Sequence, residues 1–517
     1  MRPPLTETTT SRAFAATKRP AVVLPLILVL AVFLQWLPAL SASFQFDDWN
    51  VIVNEPRVHS LAAWWASMPG IRPLLKLSYA LNFTMDAGPF GFRLVNVCAH
   101  AFSAVFVFWL LRERGIRAWM PVAAATLAAF VAAGVFALHP VQTEAVTYIS
   151  GRSSSLAGFF CLVGVGCWEK GQKPSIAGRL RAGARKEQSA WLMGSAVAYV
   201  AAVACKETAM VLPLALWLYC ADRPLRATLI RLAPLLLLTL AMLAIVWSLP
   251  TYRHLLTVSL DTRSITANLM LQSQAVFYLA GQLIRPWNGN ADPQLALNST
   301  VSTLTILLCG AWAAAAIVAL LRVRKNPIGA FAVLWFLLWL APTNSLLPRL
   351  DVANDRQLYL ALIGPAWWLA VRLTSLLHLE IPAHLVKLLL ALKPHAQRSL
   401  TAAPIDWLTS ASKWAGALGM IATLLLLSAA TFQRNRIYDT EVSFWQDTAA
   451  RNPSSARAAN NLGMAYAMAC RAGDAAGEFE RSITLDASDY RARINLALLR
   501  RQALPGVDDE RCASRPP

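Results

Sequence analysis

The chain has 517 residues, of which 56% are hydrophobic and only 15% charged, with a formal net charge of +19 from 47 Lys+Arg against 28 Asp+Glu. A soluble domain carries about 25% charged residues, so the composition excludes a soluble enzyme or a disordered chain and points to an all-α integral membrane protein. Basic loops on the inner face of a membrane account for the positive excess, and no nucleic-acid partner is needed.

A bilayer core needs about 20 apolar residues per helix. In chain order, apolar runs near 21–40, 95–111, 119–138, 154–168, 189–204, 208–221, 231–249, 301–321, 327–343, 357–377 and 414–432 predict about eleven membrane helices. The first run follows Arg12, Lys18 and Arg19, and Ser41-Ala42-Ser43 resembles a cleavage site. The run exceeds the roughly 7–15 residues of a signal core, so it reads as an uncleaved anchor with a cytoplasmic N-terminus. Segment 383–392 is short and reads as interfacial; 268–285, with Gln272, Gln274 and Gln282, reads as re-entrant or interfacial. The basic loops are Arg112/Arg114/Arg117, Lys170 to Lys186, Arg223/Arg226/Arg231, Arg322/Arg324/Lys325 and Arg372 to Lys413. If 268–285 does not span, all five lie on the cytoplasmic side, and the tail after Thr431 lies outside it.

The remaining outer loops (41–94, 139–153, 205–207, 250–300 and 344–356) hold unusual ionisable residues at helix mouths, where charge must be solvated, paired or bound to a ligand. Asp47 and Asp48 are adjacent carboxylates, one of which can keep its proton to higher pH and serve as a base; a solvated loop start or a helix cap is the plainer explanation. His139-Pro140 and Glu144 follow the third run and also suit a capped turn, with Glu144 and Arg152 able to form a structural ion pair. Lys206-Glu207 fits either snorkelling charge or a contact to an anionic head group. Arg356 and Tyr359 open a run after a loop holding Asp351 and Asp355; the Arg fork suits phosphate, or anchors the helix at the interface. Trp64-Trp65 suits a helix lying along the interface.

Six cysteines (Cys98, Cys161, Cys167, Cys205, Cys220 and Cys309) lie in or beside apolar runs and act as small hydrophobes. Cys470 and Cys512 lie in polar sequence, and in an oxidising compartment they are able to pair. No cysteine or histidine spacing suggests a metal site.

The composition turns polar and rich in Arg and Ala at 434, dividing the chain into a membrane domain at 1–433 and a helical tail at 434–517. Within the tail, 456–489 matches one tetratricopeptide repeat, with Leu462, Gly463, Tyr466, Ala475 and Phe479 at its packing positions. It departs from the pattern at Cys470, Ser482 and Ala487. A single repeat cannot bury its own core, so the tail is expected to pack against the membrane domain, as a cap or as a binding surface for an acceptor or partner.

Taken in order, these pieces resemble the transmembrane and tetratricopeptide-repeat O-mannosyltransferases and their bacterial relatives, of the GT-C superfamily of polytopic glycosyltransferases. Phe46-Asp47-Asp48 looks like the family's acidic first-loop motif. Arg72-Pro73-Leu74, with Leu77-Ser78, looks like the segment that follows it. His139-Pro140, Thr143-Glu144-Ala145-Val146 and Gly151-Arg152 look like the second outer-loop motif, and Lys206-Glu207 like the family's Lys-Glu pair. Asp355-Arg356 and Leu358-Tyr359-Leu360 look like its acid-Arg-x-Leu-Tyr-Leu motif, with Asp where Glu is more usual. Arg434-Asn435, Trp445 and the repeat complete the order.

The resemblance implies transfer of mannose or another hexose, with inversion, from a polyprenyl-phosphate-linked donor to an acceptor hydroxyl on the outer face, on protein Ser/Thr or on a glycan. It assigns Asp47 or Asp48 as base and Glu144 as a second carboxylate. Arg356, Lys206, Arg152 and Tyr359 are assigned to the donor phosphate, with Arg72, His139 and Glu207 as further site candidates. No cofactor is required; a divalent metal is compatible with the chemistry but supported by no ligand spacing. Composition suggests a bacterial inner membrane, with the tail in the periplasm. The alternative is a non-enzymatic membrane scaffold or lipid-handling protein that uses the repeat to bind partners.

Overall fold

The computed structural model describes residues 7–172, 182–293, 295, 303–344, 346–349, 351–377 and 403–504. Segment 383–392 and Cys512 lie outside the described residues, so neither the interfacial reading of the one nor the pairing of the other is addressed; Cys470 is disulfide-bonded.

All regular elements among the described residues are helical. In order the α-helices are α1 Glu7–Trp36, α2 Leu61–Ala66, α3 Pro73–Thr84, α4 Gly88–Arg117, α5 Val122–Leu138, α6 Thr143–Val146, α7 Arg152–Gly171, α8 Ala182–Cys205, α9 Leu212–Tyr219, α10 Leu225–Ser248, α11 Pro250–Thr262, α12 Ile265–Ile284, α13 Thr303–Leu321 and α14 Pro327–Leu340. There follow α15 Leu358–Ala361, α16 Ile363–Leu376, α17 Ala403–Ile437, α18 Glu441–Arg451, α19 Ala456–Met468, α20 Ala472–Leu485 and α21 Tyr490–Arg500.

Among the described residues six helices are long and apolar enough to cross a membrane, or eight if each of two bent helix pairs counts as one span. Two of the other expected runs form shorter apolar helices, Glu207–Tyr219 and Pro327–Leu340, and 154–168 lies inside α7, so each of the eleven runs carries a helix among the described residues but fewer than eleven have the length and composition of a span. Segment 268–285 is one continuous helix, α12, rather than a re-entrant pair.

Helix α13 and the part of α10 after Arg231 are almost wholly apolar, yet the spanning windows of the two helices are only 11% and 17% buried. Apolar surface of that extent is stable against lipid, not water. The centre of the bundle is α5, rich in Ala and buried along most of its length against α1, α4, α16 and α17. Burial of apolar groups drives little association between helices in lipid, so close backbone approach through small residues does the packing. A Cβ on Gly134 would meet Leu424 Cδ2 of α17 at 2.9 Å, and one on Gly115 of α4 would meet Ala125 Cβ of α5 at 2.9 Å.

Two breaks position the site. Pro140 holds the preceding His139 extended (φ −77°, ψ 132°), ending α5 and bending the chain by 52° into a short turn and α6. The segment Asp355–Ala361 bends by 57° into α16; Pro365 has no N–H for the Ala361 carbonyl, and its ring crowds that turn. The two broken ends meet at one end of the bundle. At the other end, Glu169 of α7 pairs with Arg117 of α4 at 2.5 Å and with Arg223 at 3.2 Å.

Helix α17 runs unbroken through 433 into the tail. There α19 and α20 form the expected hairpin, in which Gly463 lets Phe479 lie flat on α19; a Cβ at 463 would stand 2.7 Å from its ring. Phe444 and Trp445 join Tyr438, Leu462, Tyr466 and Phe479 in one buried cluster that also takes in Tyr148 of the membrane part.

Candidate functional site

Glu144 and Arg356 fasten the two broken helices together. The Arg356 backbone N–H donates to Glu144 Oε2 at 3.2 Å, and its Nε lies 3.6 Å from Oε1. Glu144 thereby receives an otherwise unpaired donor at the start of the 355–361 segment, where a negative charge also suits the helix dipole. A Cβ on Gly151 would strike the Glu144 carbonyl oxygen at 2.0 Å, so glycine there allows the Ile149–Gly151 turn to lie on α6.

The two aspartates of the first loop part company. Phe46 adopts a left-handed backbone (φ 50°), and its ring packs on Trp445 with centroids 5.4 Å apart. Asp48 is 0% exposed. Its carboxylate accepts from the Gln45 N–H (3.1 Å), the Ser150 N–H (2.7 Å) and the Ser150 hydroxyl (2.5 Å). Burial pushes its pKa up to about 6 against those hydrogen bonds. Asp47 is only partly buried, and its N–H donates to the Tyr148 hydroxyl at 3.1 Å. Burial raises its pKa, as does the nearby Asp351, while Arg356, the Tyr148 hydroxyl and Arg457 lower it. Asp48 is therefore built into the loop, and Asp47 faces the ionic groups.

Arg356 borders two spaces. On one side a cleft of about 400 Å³ is lined by Ser154, Lys206, Thr208, Thr343 and Gln357 as well as the guanidinium. Lys206 is buried, and its Nζ donates to Ser154 Oγ at 2.6 Å. Gln357 is 7% exposed, and neither its amide oxygen nor its nitrogen has a partner. On the other side a smaller space of about 280 Å³ is lined by Phe46, Glu144, Tyr148, Asp351 and Tyr438. Arg349 and Arg72 add positive charge around Lys206. The arrangement offers the Arg356 guanidinium, the Lys206 amine and an unsatisfied amide to an anion on one side, with carboxylates on the other; burial and the neighbouring arginines hold the Lys206 pKa well below its usual value, and a bound anion would favour its charged form.

The other sequence candidates lie in different surroundings. Arg152 is fully buried, and each nitrogen of its guanidinium is bonded internally, to Asn96 Oδ1, to Ser78 and to the Phe92 carbonyl; it presents no donor to the cleft and pairs with Asn96 rather than Glu144. Tyr359 lines the cleft with its ring, but its hydroxyl bonds His100 Nδ1 at 3.1 Å. His139 caps the turn after α5, accepting from the Val141 N–H and reaching the Leu283 carbonyl. Lys206 and Glu207 diverge, because Lys206 is extended (φ −159°, ψ 127°) and successive side chains then point to opposite sides. Glu207 instead pairs with Arg72 at 2.9 Å and accepts from Tyr252 at 2.5 Å. Arg72 is the left-handed residue (φ 51°) that starts α3.

The motifs do not single out Gln357, Tyr148, Ser154 or Arg349. Gln357 stands within the polar segment that carries Arg356 and is detectable there by its polarity. The others reach the site through contacts distant in sequence. Among the described residues no group of three or more His, Cys, Asp or Glu side chains could hold a metal ion.

These features define an all-α polytopic membrane protein with an anion-sized cationic cleft at the junction of two broken helices. No family model matches the chain, and no solved structure matches it. Curated relatives are similar over about a quarter of it. Protein O-mannosyl-transferase Tmtc2 of Drosophila melanogaster is 31% identical over 146 residues, covering 25% of this chain and 15% of the relative. Protein O-mannosyl-transferase TMTC1 of Mus musculus is 31% identical over 163 residues (27% and 16%). TMTC4 of Homo sapiens, also a protein O-mannosyl-transferase, is 30% identical over 146 residues (23% and 19%). The chain thus spans less than a fifth of the length of each of these three relatives.

Proposed function

We propose that the chain is a membrane glycosyltransferase of the GT-C type. It moves mannose or another hexose from a polyprenyl-phosphate-linked donor to an acceptor hydroxyl, on protein Ser/Thr or on a glycan. The carrying observation is that Arg356 separates a cleft shared with Lys206 and Gln357 from a space lined by Glu144 and Asp351, and that Asp47 lies within electrostatic reach of both Arg356 and Asp351. The similarity to relatives named protein O-mannosyl-transferases favours the same class of chemistry.

In this reading the donor phosphate lies in the cleft, held by Arg356 and Lys206 and by the free amide of Gln357. The lipid chain has a place beside it. An apolar groove of about 1050 Å³ runs between α3 and α8, lined by Pro73, Leu77, Val197, Ala201 and Ala204. It begins next to Arg72 in sequence and ends two residues before Lys206, so a bound lipid there would bring its head group to the cations.

Asp47 takes the proton from the acceptor hydroxyl, and the oxygen attacks the anomeric carbon from the face opposite the phosphate. The bond from that carbon to the phosphate oxygen breaks, the electron pair leaves with polyprenyl phosphate, and the sugar is transferred with inversion. Arg356 and Lys206 stabilise the charge gained by the leaving group. Glu144 contributes by fixing Arg356, and Asp48 by fixing the loop that carries Asp47.

The basic end with Arg117 and Arg223 favours the cytoplasmic side; in this reading the site and tail lie on the outer face, in the periplasm of a bacterial cell. Nucleotide sugars are cytoplasmic, so an enzyme on that face is served by a lipid-carried donor.

The test supplies the purified protein in nanodiscs with a panel of polyprenyl-phosphate sugars and cell-envelope acceptors. Sugar transfer with release of polyprenyl phosphate, lost on Lys206→Ala and Arg356→Ala, supports the reading. Failure with the whole panel would favour the scaffold.

A further inference from the structure

The tail does more than rest on the membrane helices: it enters the ionic network of the site. Arg457 of α19 is clamped by Asp292, its Nε donating to Oδ2 at 3.0 Å and its Nη2 to Oδ1. Its Nη1 donates to Asp351 Oδ1 at 3.2 Å. The other oxygen of Asp351 accepts from Arg356 Nη2 at 3.3 Å, and Arg356 in turn reaches Glu144. Charges alternate along Asp292, Arg457, Asp351, Arg356 and Glu144. The side chains become less exposed toward the cleft, from 33% at Arg457 through 27% at Asp351 to 15% at Arg356.

Asp351 is shared between two arginines, and this sharing matters for any anion in the cleft. Arg356 has to be available to a ligand phosphate. A carboxylate with no other cation would bind Arg356 more closely and compete with that phosphate, more strongly as water is excluded. Arg457 draws part of that charge away, and its own clamp on Asp292 fixes where Asp351 stands.

We propose that Arg457 is a positioning residue that acts through Asp351 to keep Arg356 free for the donor phosphate, so that the cleft is complete only when the tail hairpin is docked. The proposal rests on the donor-binding role of Arg356 in the transferase reading. It makes the tail a required part of the donor site, in addition to any surface it offers to an acceptor.

The test uses the full-length protein in nanodiscs, with steady-state kinetics against the lipid-linked sugar donor and amide hydrogen exchange of residues 351–359. Arg457→Gln is expected to raise the donor KM roughly fivefold with kcat changed less than about twofold, and Arg457→Lys to recover part of the loss. Because the effect runs through Asp351, adding Arg457→Gln to Asp351→Asn is expected to change KM little. Exchange over 351–359 is expected to quicken in Arg457→Gln and much less in Arg457→Lys. An unchanged KM, the same rise in KM in the Asp351→Asn background, or unchanged exchange overturns the proposal. Wild-type protein inactive with every lipid-linked sugar would defeat the transferase reading; the exchange result then still decides whether Arg457 positions the Arg356 segment.

Discussion

The Glu144 carboxylate receives the Arg356 backbone N–H at 3.2 Å and faces the same residue's guanidinium at 3.6 Å. One acidic side chain thus joins two helices, each broken near a proline, and sets the cation that borders both spaces. Glu144→Ala would leave a buried N–H and a buried guanidinium without that partner, which is strongly destabilising. A lower melting temperature and roughly a hundredfold loss of kcat/KM are expected, with Glu144→Gln milder in stability because its amide oxygen still accepts the N–H. Melting curves and kinetics on both variants check this; wild-type behaviour in Glu144→Ala would show that Glu144 neither joins the helices nor sets Arg356.

The two aspartates should separate cleanly. Asp47→Asn is expected to lower turnover by roughly 10²–10⁴-fold at unchanged melting temperature. Asp48→Asn should instead lower the melting temperature, because the three hydrogen bonds donated to its carboxylate include two to one oxygen from Ser150. The reverse pattern would exchange their roles.

Those aspartates also set two pH dependences. Asp48 is raised from 3.8 to about 6 in the folded protein, so its protonated form is favoured by folding. Its contribution to stability is fully present below about pH 4 and is lost as pH rises through about 6. Asp48→Asn should remove that part of the pH–stability curve. Asp47 is also raised and has to be ionised to act as base, so kcat/KM should fall on the acid side at a pH above the ordinary aspartate value. Asp351 raises Asp47, and Arg457 lowers it. The acid limb should therefore move down in Asp351→Asn and up in Arg457→Gln, and a limb unmoved by either would contradict this assignment.

Arg152 and Lys206 make a second contrast. The Arg152 guanidinium spends its donors on Asn96, Ser78 and the Phe92 carbonyl, so Arg152→Lys is expected to lower stability while leaving the donor KM of folded protein within about twofold. Lys206→Ala is expected to raise donor KM roughly tenfold, since it removes an amine that a bound phosphate would hold in its charged form in the proposed donor cleft. A raised donor KM in Arg152→Lys, measured on protein of wild-type fold, would place Arg152 back among the phosphate ligands.

The helices were legible because eleven apolar runs leave little choice of structure in lipid, and His139-Pro140 announces its own break. Roles were less legible, because a residue type does not reveal its direction. Asp47 and Asp48 are alike in sequence until the left-handed Phe46 and the Ser150 turn divide them. Lys206 and Glu207 suggest a pair by adjacency, yet an extended backbone sends them apart. Arg152 and Arg356 look equivalent, but one is filled with internal acceptors and the other opens onto two spaces. Arg457 reaches Asp351 across 106 residues, a contact that no local period encodes.

The most direct test of the central claim is release of polyprenyl phosphate from a polyprenyl-phosphate sugar by the purified protein, with wild type and Asp47→Asn compared at equal melting temperature. Wild type is expected to release it in a manner dependent on acceptor, and the variant to lose at least about a hundredfold. Equal release by both would show that Asp47 is not the base and would contradict the proposed mechanism.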